Sequence, residues 1–363
     1  MTVLVTGLGA VLAEAELLVT CGPGGVGKTT TAAALGLAAA RSGRHVCVMT
    51  VDPARRLADA LGVDATAGNV PHLVEGAVTG PASKRGSFSA LMLDAEATFD
   101  QLVIDRAGDA APALLGNRIY RSIAGSLSGA QEYMAIERLH QLHTSGEFDL
   151  VIIDTPPSRH AIDVLEAPDR LVRFLSNPIY RTLTLPGRSF ARVTNAASSA
   201  FLWTVKRMAG PAIVEETIEF FRSLSTMEAG LRDRAAQMST LLRADRTAFV
   251  LVSSPRAEAV DEATFMATAL HEGGYNLAGI VANLVHPLPD EIPARFDRTQ
   301  VTGALADHLA YHDELRSLAL AERVELGGLR VAADGAPLVE IPLLDHDVHD
   351  IPALVELATL LTA

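Results

Sequence analysis

Short apolar runs recur along this chain, and most of them are followed by segments in which apolar residues have helical spacing. The runs lie at residues 17–21, 45–50, 150–153, 248–252, 278–282 and 339–341. Continuous apolar runs of this length are typical of strands that are buried on both faces of a parallel sheet. The alternation of strands and helices therefore predicts an α/β fold with a doubly wound, mainly parallel sheet.

Two long segments interrupt this alternation. Residues 97–146 and 163–242 contain no strand-like runs, and their apolar residues follow helical spacing. Those apolar residues include Leu171, Phe174, Leu175, Phe201, Leu202, Trp203, Phe220 and Phe221. We predict that the two segments form a helical subdomain inserted into a single domain that spans residues 1–363. Packing against the core is one explanation of the apolar spacing, and a groove or partner surface is the other.

The mixed-charge segment 286–337 precedes the last predicted strand. Its pattern predicts a helical connection, with loops at residues 286–289 and 327–328, where proline or glycine residues are paired.

Polar residues stand where most of the predicted strands end. Asp52, Asp154, Ser253 and Asn283 each follow one of the apolar runs closely. In open α/β sheets, ligands bind at the carboxyl ends of the strands. This placement predicts one site that is assembled from several loops.

The first predicted strand leads into the loop Gly22-Pro23-Gly24-Gly25-Val26-Gly27-Lys28-Thr29, and a helical run follows. This loop matches the Walker A pattern of phosphate-binding P-loops in the expected strand and helix context. Backbone N–H groups and the helix N-terminus surround the phosphates in such loops, and the lysine adds a full positive charge. A glycine turn that only caps a helix would not need the lysine and threonine. The candidate residues for binding ATP or ADP are Gly22, Gly24, Gly25, Val26, Gly27, Lys28, Thr29 and Thr30.

Two acidic residues complete the predicted chemistry. Asp154 has the position of a Walker B acid and, with the hydroxyl of Thr29, is a candidate ligand of Mg²⁺. Asp52 is the candidate that orients or deprotonates the attacking water, which makes Lys28 and Asp52 the predicted catalytic residues. An Asp-Pro turn before a helix is the other interpretation of Asp52. Asn283 offers the donor and acceptor that suit the adenine edge, but an Asx turn explains it equally well.

Charge and composition narrow the range of partners and compartments. The net charge of −13 disfavours nucleic acids and anionic membrane surfaces. No apolar run reaches the ~20 residues of a bilayer span, so we expect no stable membrane insertion. The two cysteines, Cys21 and Cys47, fall in apolar runs. This argues against a disulfide or zinc framework and favours a cytoplasmic protein.

Four histidines are candidate metal ligands by their spacing. His308 and His312 have the spacing of one helix face, but no third ligand accompanies them. We therefore interpret them as surface residues, and His140 and His143 likewise.

Together the motifs resemble those of one protein family. Residues 22–30 resemble the deviant Walker A loop of the ParA/MinD and arsenite-pump ATPase groups. Residues 52–59 resemble switch I, and residues 154–160 resemble switch II, of the arsenite-pump ATPase (ArsA) and tail-anchored-protein targeting family. Asn283 and residues 341–344 resemble its adenine-side loops. The resemblance covers nearly the whole chain and extends to actinobacterial anion-transporting-ATPase-like proteins, which often occur as paired paralogues.

This resemblance implies a P-loop NTPase fold and a dimeric, Mg²⁺-dependent ATPase whose helical subdomain changes shape with the nucleotide. Family members power an arsenite pump or shield and hand over tail-anchored membrane proteins. By resemblance, Lys28 holds the phosphates, Asp52 aligns the water, and Asp154 reports the γ-phosphate through switch II. Asn283 and Pro342 lie on the adenine side.

The chain also departs from the family pattern. The lysine that reaches across the dimer to the partner's nucleotide is replaced by Pro23, which supplies neither a charge nor a backbone N–H. Arg55 and Arg159 stand where the family commonly has His and Gly. The chain has neither a Cys-x-x-Cys zinc motif nor the cysteine triad that binds arsenite.

Three functional hypotheses follow. The first is a cytoplasmic ATPase whose nucleotide cycle drives a conformational change of a dimer acting on a protein client or partner. The dimer is either a homodimer or a heterodimer with a paralogue that carries the lysine missing at Pro23. The second is a weakly hydrolysing regulatory subunit, and the third is a P-loop kinase or amidotransferase-type synthetase that acts on a small molecule.

Overall fold

The computed structural model describes residues 7–51, 57, 61, 69–78, 86–118, 120–121, 130–156, 159–177, 211–292 and 301–363. Within these residues one eight-stranded sheet has the order β3-β4-β2-β5-β1-β6-β7-β8. The strands are β1 Leu17–Cys21, β2 His45–Thr50, β3 His72–Leu73, β4 Ser87–Met92, β5 Leu150–Asp154, β6 Thr247–Ser253, β7 Leu277–Val285 and β8 Leu338–Pro342. Neighbouring strands are parallel except for β3 and β4. The predicted α/β fold with a doubly wound, mainly parallel sheet is confirmed.

Two strands were not predicted from the sequence. β4 pairs with β2 along its whole length, and all but its first residue are buried. Its sequence contains two serines and no β-branched residue, so the local pattern does not indicate a strand. β3 has only two residues and forms an antiparallel edge on β4. Such a short strand leaves no pattern to detect.

The described helices cover both faces of the sheet. They are α1 Gly9–Glu14, α2 Lys28–Arg41, α3 Ala95–Ala107, α4 Ala111–Gly116, α5 Ala130–Thr144, α6 Arg159–Leu175, α7 Pro211–Ser225, α8 Glu228–Leu242, α9 Ala257–Glu272, α10 Ala304–Ala332 and α11 Ile351–Thr362. A 3₁₀ turn, Gly108–Ala110, joins α3 to α4.

Side chains of each buried strand alternate between two apolar cores. In β1, Leu17 and Val19 belong to the core that includes helices α3, α5, α6, α8, α9 and α10. Leu18 belongs to the opposite core, with α1, α2 and α11. Successive side chains of a strand point to opposite faces, so a strand that is apolar throughout contributes to both layers.

The two segments predicted as a helical subdomain are helical wherever the structure describes them. Residues 97–146 include most of α3 together with α4 and α5, and residues 163–242 include most of α6 together with α7 and α8. Leu139, Leu165 and Leu231 from these helices share one buried core with Val151 of β5. Residues 201–203 lie outside the described part of the chain. The assignment of both segments to one inserted subdomain stays a prediction.

The long helix α10 corrects one expectation. A loop was predicted at residues 327–328, but both glycines lie inside the helix. Leu326 and Leu329 on either side of them are fully buried. Each glycine costs about 1 kcal/mol relative to alanine in a helix interior, and the burial of the two leucines offsets this cost. The loop predicted at residues 286–289 is present, directly after β7.

None of the helices in the described residues is long and apolar enough to cross a membrane.

Candidate functional site

The glycine-rich loop connects the end of β1 to the start of α2, at the carboxyl edge of the sheet. Gly22 has φ +143°, and a Cβ atom there would lie 2.0 Å from the carbonyl oxygen of Val252 on β6. Gly27 has φ +91° and directly precedes the first residue of α2. Both positions require glycine, one because the neighbouring strand is close and both because of the backbone conformation. The sequence thus produces a tight loop whose last residue begins a helix.

Lys28 is the first residue of α2, and its side chain folds back over the loop. Its Nζ atom donates a hydrogen bond of 2.7 Å to the carbonyl oxygen of Pro23, and the residue is 7% exposed. The helix N-terminus adds partial positive charge at the same place. This arrangement presents positive charge and backbone N–H groups to an anion.

A carboxylate from the centre of the sheet lies beside the same helix start. Asp154 ends β5, next to β1, and is 1% exposed. Its Oδ2 atom accepts hydrogen bonds from the hydroxyl of Thr29, at 2.7 Å, and from the hydroxyl of Thr50, at 3.0 Å. Hydroxyl and carboxylate oxygens are ligands that Mg²⁺ prefers, together with water and nucleotide phosphates. The donor set of Thr29 and Asp154 therefore fits Mg²⁺.

Thr50 was not identified from the sequence, and Thr155 was identified only as part of the switch II motif at residues 154–160. Thr50 ends β2 and is 1% exposed, and Thr155 donates from its hydroxyl to the carbonyl oxygen of Thr20 at 2.7 Å. The available signal was a hydroxyl residue at the carboxyl end of an apolar strand. That signal is weak, because threonine is common in strands for reasons of packing alone.

The adenine-side candidates come together at the ends of β7 and β8. Asn283 lies on β7, and Pro342 ends β8, where it pairs with Val285. The Nδ2 atom of Asn283 donates a hydrogen bond of 2.9 Å to the carbonyl oxygen of Val26 in the P-loop. This brings Asn283 to the P-loop, as predicted for one composite site, and its adenine role stays a prediction.

Some predicted residues lie beyond what the structure describes. Asp52 and Arg55 fall outside the described residues, and Arg159 begins α6 without a described side chain. The chain leading to Asp52 is located, because the N–H of Val51 donates to the carbonyl oxygen of Asp154 at 3.2 Å. Gly24 and Gly25 are exposed, and Thr30 lies in the first turn of α2.

Both cysteines are free and buried. Burial raises the pKa of Cys21, directly before the P-loop, to about 12, although the charge of Lys28 acts in the opposite direction. Burial also raises the pKa of Cys47 to about 12. Neither thiol is therefore a nucleophile at neutral pH, because the thiolate is the reactive form.

The histidines are not all on the surface. His308 is exposed, and His312 contacts the carbonyl oxygen of Asp290 at 3.0 Å. His143 is half-buried near Glu16. His140, which we had interpreted as a surface residue, is buried between helices instead. Helical spacing did not reveal this, because which face of α5 is covered depends on the packing of distant helices. In the described parts of the chain, no three His, Cys, Asp or Glu side chains form a metal-binding cluster.

The site combines the features of a P-loop nucleoside-triphosphate-binding protein. These are a mainly parallel sheet, a glycine-rich loop at a helix N-terminus, a lysine folded over that loop, and a threonine hydrogen-bonded to a strand-end aspartate. A model of the anion-transporting ATPase (ArsA) family matches residues 15–302. The chain belongs to this family and is an ATP-hydrolysing enzyme.

Individual relatives agree with this assignment. The chain is similar to an uncharacterized protein of Streptomyces coelicolor, with 31% identity over 285 residues that cover 77% of this chain and 64% of that protein. It thus spans just under two thirds of that relative's length. It is also similar to the ATPases GET3B and GET3C of Arabidopsis thaliana. The identity to GET3B is 27%, over 92% of this chain and 75% of GET3B. The identity to GET3C is 25%, over 92% of this chain and 78% of GET3C.

Proposed function

We propose that this ATPase is a cytoplasmic enzyme that uses Mg²⁺ and ATP at the P-loop to drive a conformational change of a dimer, which acts on a protein client or partner. The observation that supports this most strongly is the hydrogen-bonded set of Thr29, Asp154 and Thr50. It joins the phosphate-binding helix to the ends of β5 and β2, from which the two predicted switch segments begin. A change at the phosphates can therefore alter the conformation of both switch segments through these hydrogen bonds.

The proposed roles follow from the position of each residue. Lys28 stabilises negative charge on the phosphates, and Thr29 and Asp154 hold Mg²⁺, which supplies charge compensation at the phosphates. Asp52 orients the water whose oxygen bonds to the γ-phosphorus as the bond to the ADP oxygen breaks. Asn283 and Pro342 contact the adenine. Binding comes from the P-loop and its neighbours, while hydrolysis additionally requires Asp52.

The test compares two variants of the site. We expect Lys28→Ala to abolish tight ATP binding, because it removes a buried charge from the phosphates. We expect Asp52→Asn to retain ATP binding and lose hydrolysis, because it removes only the group that orients the water. Binding is measured by calorimetry and turnover by phosphate release. Equal turnover of Asp52→Asn and the parent protein would refute the role of Asp52.

Pro23 supports a specific form of the dimer, namely pairing with a paralogue that carries the cross-dimer lysine. Proline has no ionisable side chain, and Pro23 is buried in the loop, where its carbonyl oxygen accepts the Lys28 hydrogen bond. Charges supplied from a partner accelerate phosphoryl transfer by about 10³ to 10⁵ fold in other P-loop enzymes. In a mixed dimer, the partner's lysine completes the site of this chain, and one site is fast while the other is slow.

A homodimer in which Arg55 or Arg159 supplies the missing charge is the competing arrangement, since arginine suits phosphate oxygens. Turnover of the chain alone over a wide concentration range, with and without the paralogue, separates the two. Fast hydrolysis by the chain alone that is lost in Arg55→Ala or Arg159→Ala would overturn the mixed dimer. Little hydrolysis under either condition, with ATP binding intact, would instead favour a weakly hydrolysing regulatory subunit.

A further inference from the structure

The end of β7 contains an irregularity that faces the P-loop. Ala282 pairs with Glu340 of β8, and the next pair is Val285 with Pro342, so β7 contains one extra residue between the two pairs. Within this bulge Leu284 has φ +62°, in the left-handed region that a branched side chain rarely adopts. A β-bulge redirects side chains relative to a regular strand. Such backbone strain persists only where the surrounding structure requires it.

Asn283 lies in this bulge, and its side-chain amide contacts the P-loop backbone. Its Nδ2 atom donates to the carbonyl oxygen of Val26 at 2.9 Å. A Cβ atom on Gly27 would lie 2.5 Å from the same nitrogen. A side chain at Gly27 would therefore displace the Asn283 amide, in addition to the strain that its φ of +91° would impose. Val26 and Asn283 are 257 residues apart in sequence, so only the folded sheet makes this contact.

The contact determines how one peptide group of the P-loop is oriented. In a planar trans peptide, the carbonyl of Val26 and the N–H of Gly27 point in opposite directions. A hydrogen bond that holds the carbonyl toward Asn283 therefore holds the Gly27 N–H toward the opposite side. In P-loops, backbone N–H groups of the glycine-rich loop bind the phosphates.

We propose that Asn283 is a positioning residue for the P-loop, which holds the peptide between Val26 and Gly27 in the orientation that binds phosphate. This inference rests on the proposed function only in taking the P-loop as the phosphate site. It adds a role that does not depend on the base, since the amide acts through the loop backbone. The contact with Val26 uses one amide hydrogen of Asn283, so the proposed adenine contact would use the other amide hydrogen or the Oδ1 atom.

The two roles of Asn283 predict different losses. A residue that only reads the base affects ATP, and leaves GTP and inorganic tripolyphosphate unchanged. A residue that positions the loop affects all three, because tripolyphosphate has no base. The experiment measures binding of Mg²⁺-ATP, Mg²⁺-GTP and Mg²⁺-tripolyphosphate to the parent chain and to Asn283→Ala by calorimetry. We expect the affinities for GTP and tripolyphosphate to fall by about tenfold, the usual effect of one lost hydrogen bond of this kind, and the affinity for ATP to fall by at least as much, because the proposed adenine contact is lost as well.

Asn276→Ala is the matched control. Asn276 directly precedes β7, and its Nδ2 atom donates to the carbonyl oxygen of Asp245 at 3.1 Å, at the opposite edge of the sheet. The Asn276→Ala variant loses the same type of hydrogen bond at a site that does not contact the P-loop. Its affinities for ATP, GTP and tripolyphosphate should therefore match those of the parent protein. Equal melting temperatures of both variants show that they are folded.

Hydrogen exchange of the nucleotide-free protein gives a second readout. Loss of Asn283 should speed exchange of the amides in residues 22–27, whereas loss of Asn276 should not. This measurement and tripolyphosphate binding need no hydrolysis, so they remain informative if the proposed ATPase cycle fails. A loss confined to ATP, or unchanged exchange in the P-loop of a folded Asn283→Ala protein, would overturn the proposal.

Discussion

Two buried carboxylates, one at the end of a central strand and one among the helices, are held by different kinds of partner. Asp154 ends β5 and accepts hydrogen bonds from the hydroxyls of Thr29 and Thr50. Glu137 lies in α5, is fully buried, and accepts from Arg234 of α8. The Nη2 atom of Arg234 donates to Glu137 at 2.8 Å, and its Nε atom lies 3.2 Å from both carboxylate oxygens.

The difference shows how one chemical group serves two purposes. A buried carboxylate is costly unless it is paired and hydrogen-bonded. The guanidinium of Arg234 meets the charge of Glu137 within the fold, in a bidentate geometry that leaves little freedom. Hydroxyl groups rotate and also serve as metal ligands, so the arrangement around Asp154 suits the entry of a cation. The comparison therefore predicts that Asp154 matters for activity and Glu137 for stability.

Asp154→Asn gives the largest expected effect. An asparagine oxygen still accepts from both hydroxyls, but the negative charge that binds Mg²⁺ is removed. We expect ATP turnover to fall by about 10² to 10³ fold, as for the loss of one essential electrostatic group, with little change in melting temperature. Phosphate release and thermal unfolding measure the two quantities. Turnover close to that of the parent protein would contradict the comparison.

Glu137→Ala tests the other side of the comparison. It leaves the guanidinium of Arg234 without its buried partner, and we expect the free energy of unfolding to fall by about 3 kcal/mol, because breaking one side of a buried pair is costly. Urea unfolding measures this loss, and turnover per folded molecule should be unchanged.

Glu228→Ala is the control, because Glu228 forms an i,i+4 ion pair with Arg232 on the same helix as Arg234, at 2.8 Å and with both side chains partly exposed. It should cost less than about 1 kcal/mol. Equal costs in Glu137→Ala and Glu228→Ala would show that burial does not distinguish these pairs.

Thr50→Val tests whether the hydroxyl of Thr50 orients the carboxylate of Asp154. It removes one hydroxyl donor to Asp154 while keeping the shape of the side chain, so the carboxylate is less well oriented for Mg²⁺. We expect the Mg²⁺ concentration for half-maximal turnover to rise by about tenfold. Thr50→Ser retains the hydroxyl and should stay close to the parent.

Thr247→Val controls for the loss of a buried threonine hydroxyl. Thr247 is 1% exposed, like Thr50, but it begins β6, at the end of the strand away from the P-loop, and its hydroxyl donates to the carbonyl oxygen of Leu241 in α8. If Thr50→Ser behaved like Thr50→Val, or Thr247→Val raised the Mg²⁺ requirement equally, a specific role of Thr50 would be wrong.

The smallest effect concerns pH. Burial, and to a smaller extent the charge of Arg234, lowers the pKa of His140, so the folded protein favours the neutral imidazole. This contributes stability above the unfolded pKa of about 6.5, and the stability is lost as the pH falls through the lower folded pKa. In His140→Leu, the free energy of unfolding should fall less steeply as the pH is lowered. Urea unfolding at several pH values below neutrality measures this, and equal acid slopes for the parent and the variant would contradict it.

Much of the nucleotide site was predictable because its signals are local. A strand, a glycine-rich loop, Lys28 and Thr29 follow one another within a few residues, and their order alone predicts a phosphate site. Asp154 was predictable for the same reason, since an acidic residue follows directly on an apolar strand. β4 and the unbroken helix across residues 327–328 were not, because packing by distant residues outweighs the local preference there.

The sequence by itself determined most of the buried strands, though not β4, together with the place of the phosphate loop and the residue types that supply its chemistry. Only the tertiary structure decided that Thr50 meets Asp154, 104 residues away, and that Asn283 meets Val26. The same folding buried His140 and paired Glu137 with Arg234, 97 residues apart. The physical reason is that apolar periodicity reports burial and turns along one segment, whereas contacts between segments depend on strand order and helix packing, which no single segment encodes.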